Sequence, residues 1–446
     1  MRKILLIGAG RSSSSLIKYF LENAQNENWQ LIVADVSEDL AQKKVLGHPA
    51  GKAIRFDIQN AKELNEIVAS VDIVISMLPA HMHLPVAMEC LKNKKNLVTA
   101  SYVSPEMHAL HERAMQAGVL LLNECGLDPG LDHMSAMMVF DEVKKNGGNL
   151  TSFRSYTGGL VAPESNDNPW GYKFSWNPRN VILAGQGTAR FIESGGYKYI
   201  PYNRLFTEIE NIHVDGMGDF DGYANRDSLS YRKTYQLENI PTMVRGTLRQ
   251  SGFCKAWNVF IQLGLTDDTY ILEDSEHLTY KILVEAYLPA TTSQLPIVDR
   301  LAAFMNTSRD SKEIQLIQWT GILDEKVIGQ PRATPAQVLQ KLLEEKWLLK
   351  EEDKDMIVMQ HQFQYELKQR KYLQTSSLVV KGESAVYTAM AKTVGIPVAI
   401  AAKLILNGKV SLKGVQAPID QTLYAPILEE LKKYGISFVE KRTEFV

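Results

Sequence analysis

Residues 1–13 read MRKILLIGAGRSS, and this stretch decides the fold. Lys3–Ile7 is a strand candidate that runs straight into Gly8-Ala9-Gly10-Arg11-Ser12-Ser13, a G-x-G-x-x-S that opens a helix. Gly8 permits the tight turn and Gly10 lets backbone approach a pyrophosphate, while the helix N-terminus offers unpaired N–H groups and a partial positive charge. Arg11, Ser12 and Ser13 add side-chain donors. An ordinary glycine-rich turn would look the same in isolation. Here the loop lies between an apolar strand and Ser13–Ala24, where Leu16, Ile17, Phe20, Leu21 and Ala24 recur at helical spacing. That setting favours a dinucleotide site.

Outward from this loop, short runs rich in Ile, Val and Leu recur at Gln30–Val36, Lys52–Phe56, Asp72–Leu78, Asn96–Ala100 and Val119–Asn123. Strands buried on both faces have that composition, and the pattern predicts a Rossmann-type, doubly wound parallel sheet over residues 1–130. Asp35 closes the second strand, where an acidic residue meets the adenosine ribose and repels a 2′-phosphate. We therefore expect NAD rather than NADP. Asp57 is a candidate for the adenine pocket, or a turn residue. Ligands bind at the carboxyl ends of such strands. Three segments fall there: Leu78-Pro79-Ala80-His81, Ser101-Tyr102, and Glu124-Cys125-Gly126-Leu127-Asp128-Pro129-Gly130. Asp128 could accept from a substrate ammonium and Tyr102 could donate; either could instead cap a helix.

The 446 residues suggest roughly three domains at about 150 residues each. From Thr151 the chain is rich in aromatics, Gly and Asn, with alternating stretches at Thr242–Arg249 and Lys281–Tyr287 that read as a mixed-sheet α+β domain. That domain is expected over 131–290 and 355–384. A small helical subdomain is expected over 291–354, with Thr334 as N-cap and Pro335 at the first helical position. Helices near 385–446 are expected to pack back on the first domain. Lys+Arg 49 against Asp+Glu 51 gives 49 − 51 = −2, so no global field favours nucleic acid or an anionic membrane. No apolar run is expected to reach the ~18 residues that span a bilayer. Three unpaired cysteines fit a reducing cytoplasm rather than a disulfide framework. His81-x-His83 and His108-x-x-His111 lack a nearby acidic or cysteine partner in sequence, so no metal is expected.

ASYVSPEM (100–107), NECGLDPGLDH (123–133), GGLVAPESNDNPWGYKFSW (158–176), ANRDS (224–228) and VRGTLRQSGF (244–253) together resemble the L-glutamate-forming saccharopine dehydrogenases, the saccharopine reductase family. The resemblance continues through TAMAKTVGIPVAIAAKLIL (388–406) and APILEELKKYGI (425–436). It implies an oxidoreductase acting on a CH–NH bond. Such an enzyme interconverts saccharopine with L-glutamate and 2-aminoadipate 6-semialdehyde in lysine metabolism, with hydride transfer to or from a nicotinamide cofactor. It further implies a Rossmann domain, a mixed-sheet domain for substrate and dimer contacts, a helical lid, and a homodimer.

Carried over by motif, Ser101, Tyr102 and Asp128 would contact substrate, with Asp128 and Tyr102 assisting the chemistry. Lys173 and Trp176 would line the pocket, Arg226 would clamp a carboxylate, and Arg245 and Thr247 would join it, with Arg249 on the same strand face. Two departures stand out. The family's fungal members carry a cysteine in SYCGGL where this chain has Thr157, so neither Cys125 nor Cys254 is assigned its place. They also use NADP and lack an acidic residue at the second-strand end, so Asp35 adds an expectation of NAD-linked lysine degradation. Two alternatives stay open: a related carboxynorspermidine-type amine dehydrogenase, and an NAD-sensing Rossmann protein without turnover.

Overall fold

The structure is a computed structural model that describes residues 1–184, 186–290, 292 and 294–445. The chain forms two compact units, Met1–Leu150 with Tyr365–Val446, and Thr151–Gln364.

In the first unit, β1 (Arg2–Ile7), β2 (Trp29–Asp35), β3 (Gly51–Arg55), β4 (Ile73–Ser76), β5 (Asn96–Thr99) and β6 (Leu120–Leu122) fall where the apolar runs predict them. All pair in parallel, and a short strand, Gly414–Gln416, extends the sheet beyond β6. The order is Gly414–Gln416, β6, β5, β4, β1, β2, β3, so the direction of winding reverses between β1 and β4. A crevice opens at that reversal because successive connections leave the sheet on opposite sides.

Helix α1 (Ser14–Glu27) buries Leu16, Ile17, Tyr19, Phe20, Leu21 and Ala24. The sheet and its helices enclose a core that includes Leu5, Ile7, Val74, Leu97 and Leu121. Helix Ala389–Leu406 packs on α1, and a Cβ built at Gly395 would lie 3.0 Å from Leu16 Cβ and 3.1 Å from the Ser12 carbonyl oxygen. One expectation needs correction here. This 18-residue helix is long and apolar enough to cross a membrane by length and composition, but 61% of it is buried inside the protein. Its apolar surface is spent on α1 and on the sheet.

The second unit carries β7 (Asn149–Val161), β8 (Ala189–Glu193), β9 (Gly196–Ile200), β10 (Ile209–Val214), β11 (Gly218–Ala224), β12 (Thr242–Gln250) and β13 (Asp355–Leu367). Its main sheet runs β10, β11, β12, β7, β13 and is mixed: β10, β11 and β12 are antiparallel, and β12 and β7 are parallel. Lys281–Tyr287, expected as a strand, is helix Tyr280–Tyr287, capped by the Thr279 side chain accepting from the Ile282 N–H. Its buried Tyr280, Leu283 and Val284 recur every three to four residues, and that period outweighs the apparent alternation.

Thr334 caps helix Pro335–Trp347, as the sequence predicts, and Gln337 completes a capping box with it. The unit boundaries differ from the expected domains. Residues 131–150 and 365–384 group with the first unit. The helices of 291–354 share one core with the second unit's sheet, since Leu301, Ile317 and Leu339 cluster with Tyr156 and Leu248.

Gly395→Val should force α1 and the loop before it to shift. We expect a loss of about 1–3 kcal/mol, read as a lower urea midpoint for the first unit.

Candidate functional site

The loop after β1 is built around two glycines with different duties. Gly8 has φ +103, and a Cβ there would lie 3.0 Å from the Met77 carbonyl oxygen at the end of β4. Only glycine lets the loop pass so close to β4. Gly10 has ordinary backbone angles, yet a Cβ there would meet no protein atom within 4 Å. The space above Gly10 is open, as backbone contact with a pyrophosphate needs. Arg11–Ser13 then forms a short 3-10 turn leading into α1, with Ser13 buried and Arg11 exposed. These residues fit a dinucleotide. Leu78 lies across the crevice, its backbone N 3.5 Å from the built Gly8 Cβ, with Pro79 and His81 exposed just beyond it.

Asp35 is not the bare carboxylate the sequence suggested. Its Oδ2 accepts from the Ala9 N–H at 2.7 Å and its Oδ1 from the Ser37 N–H at 3.0 Å, so it braces the glycine loop. Lys44, which the sequence reading passed over, donates to the Gly10 carbonyl and to Ser13 Oγ, the latter at 3.1 Å. Burial lowers Lys44 to about 8 against the raising influence of Asp35. Asp57 shapes a turn: its Oδ1 accepts from the Gln59 N–H at 2.9 Å and its carbonyl from the Asn60 N–H at 3.0 Å.

Around the carboxyl ends of β4, β5 and β6, the first unit gathers a polar group. Tyr102 Oη donates to Asp128 Oδ1 at 3.3 Å. Asp128 rides on a tight backbone knot in which the Gly126 N–H meets the Pro129 carbonyl at 3.0 Å and the Leu131 N–H meets the Gly126 carbonyl at 2.9 Å. Gly130, at φ +149, admits no side chain there, since a Cβ would fall 2.1 Å from the Gly126 oxygen.

Two residues missed by sequence reasoning hold this loop from behind. Buried Glu124 accepts from the Val103 N–H at 2.9 Å and pairs with His133 Nε2 at 2.7 Å. Buried His83 contacts Ser76 Oγ through Nδ1 at 2.8 Å and Ser101 Oγ through Nε2 at 2.7 Å. With both of its ring nitrogens so engaged, His83 offers none to a His81–His83 chelate.

In the second unit the predicted substrate residues do not share one environment. Arg226 is exposed at the turn after β11, with φ +46 and its carbonyl accepting from the Arg190 N–H at 2.7 Å. Arg245 is buried, its guanidinium 4.0 Å from the Tyr231 ring centroid. Thr247 is half-buried and lies opposite Tyr223 across the β11–β12 ladder. Arg249, weighed as a solvated strand edge, lies buried among Tyr172, Tyr223 and Phe253.

Trp176 is half-buried against the second unit's core. Lys173 is paired and buried: its Nζ meets Asp353 at 2.6 Å and Asp167 at 2.8 Å, with 1% of its side chain exposed. Its charge is spent on two carboxylates of the protein, which corrects its expected place in a substrate pocket. Cys90, Cys125 and Cys254 are buried, and burial pushes their thiols up and keeps them neutral.

The chain matches two family models, the saccharopine dehydrogenase NADP binding domain over residues 4–122 and the saccharopine dehydrogenase C-terminal domain over residues 126–436. It is 34% identical over 99% of both chains to a Schizosaccharomyces pombe protein named saccharopine dehydrogenase [NADP(+), L-glutamate-forming], and 35% identical, with the same coverage, to one of that name from Pyricularia oryzae. It is also 34% identical to the mitochondrial alpha-aminoadipic semialdehyde synthase of Bos taurus, of which it spans 48%. Among solved structures it is similar to the apo saccharopine dehydrogenase (L-Glu forming) of Saccharomyces cerevisiae, with a TM-score of 0.89, 33% identity, and 99% of this chain and 100% of that one covered. A homospermidine synthase from Legionella pneumophila shares the fold at a TM-score of 0.58 and 11% identity, over 99% of this chain and 91% of that one.

These findings overturn NAD as the expected cofactor: the matched family model is NADP-binding and the fungal relatives are named for NADP(+). The physical reason lies at Asp35. Its two carboxylate oxygens already accept from the Ala9 and Ser37 backbone N–H groups, and Lys44 is close enough to feel its charge, so it is not the bare anion whose repulsion the expectation needed.

Gly10→Ala and Lys173→Met should separate binding from structure. The added methyl at Gly10 meets no protein, so unfolding should be nearly unchanged while NADPH binding, read by fluorescence, weakens about tenfold or more. Lys173→Met strands Asp353 without its countercharge and should cost about 3–5 kcal/mol in urea unfolding.

Proposed function

The chain belongs to the saccharopine dehydrogenase family, and on that premise we propose that it is an oxidoreductase interconverting saccharopine with L-glutamate and 2-aminoadipate 6-semialdehyde, with NADP. One observation carries the reading: the likeness to enzymes named for this reaction runs through 99% of both chains rather than through the dinucleotide domain alone. A cofactor-sensing protein would need only the first unit's glycine loop. The amine-dehydrogenase alternative loses ground for the same reason.

When bound, the nicotinamide dinucleotide supplies the hydride acceptor or donor. The chain's residues do the rest. The open space at Gly10 and the N-terminus of α1 receive the pyrophosphate. Asp128, held by the Gly126–Gly130 knot and hydrogen-bonded to Tyr102, presents negative charge to the substrate's nitrogen and keeps a proton acceptor within reach of it. Ser101 stands beside this pair in sequence and is the third substrate contact of the first unit. Of the second unit's three candidates Arg226 is the exposed one, and we assign it to a substrate carboxylate, with Arg245 and Thr247 on β12 as further contacts. Alignment of the reacting C–H bond, rather than a strong base, is then the main demand on the site.

With NADP in place of NAD, the argument for an oxidative, degradative direction falls. A homodimer and a cytoplasmic location belong to the same reading, and the three free, buried thiols agree with a reducing compartment.

The test is direct. Purified protein mixed with saccharopine and NADP should gain absorbance at 340 nm and release glutamate in equal amount. Arg226→Ala should lower kcat/KM for saccharopine about a hundredfold or more. No saccharopine-dependent signal with either nicotinamide dinucleotide would overturn the assignment.

A further inference from the structure

Lys44 lies near the end of helix Glu38–Val45, outside the glycine motif, yet its side chain reaches into the loop. Its ammonium donates to the Gly10 carbonyl and, at 3.1 Å, to Ser13 Oγ. The same carbonyl accepts from the Ser13 N–H at 3.1 Å and from the Ser13 hydroxyl at 2.8 Å, so three donors draw it to one side of the loop. The peptide between Gly10 and Arg11 is trans. In a trans peptide the C=O and the N–H that follows it point in opposite directions. The Arg11 N–H therefore points away from the ammonium, and among the described residues it donates to nothing.

Lys44 also lacks a countercharge. The residue is half-buried, and no carboxylate among the described residues forms an ion pair with it. Asp35 on β2 acts on it through its charge alone, its two oxygens accepting from the Ala9 and Ser37 N–H groups. The turn Arg11–Ser13 and the first turn of α1 bring no acid, and on Lys44's own helix the acids Glu38 and Asp39 stand at the opposite end. Burial lowers Lys44 to about 8 against the raising influence of Asp35. A cation kept at that cost beside a loop open at Gly10 is suited to an anion.

We propose that Lys44 is a positioning residue for the cofactor's diphosphate: its ammonium holds the Gly10 carbonyl inward, which aims the Arg11 N–H outward at the phosphates, and its unpaired charge adds to that of the α1 N-terminus. The proposal rests on the reading of this loop as a dinucleotide site. It carries a linkage. If the charged form of Lys44 favours the dinucleotide tenfold, the dinucleotide favours the charged form tenfold in return. Lys44 is then protonated in both states at pH 7, and binding draws a proton from solvent where the free protein has begun to lose it, above about pH 8.

The experiment uses the full chain, NADPH as the probe, and the variants Lys44→Met and Lys44→Arg. NADPH affinity is read by fluorescence and proton uptake by calorimetry in buffers of different ionisation enthalpy. At pH 7, Lys44→Met should bind NADPH about tenfold more weakly than wild type; at pH 9 the gap should shrink to about twofold, because the wild type has by then lost its charge. Wild type should take up about half a proton per site near pH 8.5 beyond any uptake by Lys44→Met. Lys44→Arg, whose guanidinium stays charged across this range, should bind within about threefold of wild type at pH 7 without that uptake or the loss by pH 9.

A lysine that merely props the loop would leave a deficit in Lys44→Met that does not change with pH, and that result would overturn the proposal. Wild-type affinity that is flat from pH 7 to 9 would overturn it as well, and this measurement needs no variant to fold. Wild-type protein that binds no NADPH at any pH would sink the dinucleotide reading itself.

Discussion

A steric constraint at two glycines underlies the arrangement of the first unit. Gly8 brings the loop after β1 to within van der Waals contact of the end of β4, and Gly395 lets helix Ala389–Leu406 lie against Leu16 and Ser12 at the other side of the same loop. The segment from Gly8 to α1 is therefore held from below by the sheet and from behind by a helix nearly four hundred residues later in the chain. Gly10, between them, faces open space. A ligand's phosphates can approach the backbone there because no protein atom lies within 4 Å of where a side chain would begin. Rigidity of the frame and emptiness at one point are the same fact seen from two sides.

The polar groups follow a second rule, that buried hydrogen-bonding capacity is satisfied locally. Asp35 is taken up by Ala9 and Ser37, Glu124 by Val103 and His133, and His83 by Ser76, Ser101 and Thr99. Each of these side chains stabilises a loop whose neighbours face outward: the glycine loop, the Ser101–Val103 turn and the Asp128 knot. Preorganisation of this kind keeps the outward groups from spending binding energy on their own ordering. In the second unit the same rule removes Lys173 from consideration as a ligand, since its ammonium is paired with Asp167 and Asp353 and its side chain is only 1% exposed. Arg226, on a surface turn, keeps its capacity.

The chain's own order of residues determined the parallel sheet, the glycine loop, the helix that follows it and the capped helix at Thr334, because each is written in contiguous residues as periodicity, turn chemistry or a cap. It also carried the family likeness, and with it Ser101, Tyr102, Asp128 and Arg226. It misled where a short pattern fits two periods, as at Tyr280–Tyr287, and where a side chain's role depends on distant partners. In sequence Asp35 reads as a ribose ligand, but the fold gives its oxygens to the Ala9 and Ser37 N–H groups; Lys173 reads as a pocket cation, but Asp353, 180 residues on, holds it. In sequence His83 is only one end of a His-x-His spacing, and nothing in its sequence neighbours reveals that Ser76 and Ser101 flank its ring. Local conformation follows from neighbours along the chain, and so sequence decides it. The use to which a polar side chain is put follows from whichever partners the fold brings within 3 Å or so, and only the tertiary structure decides that.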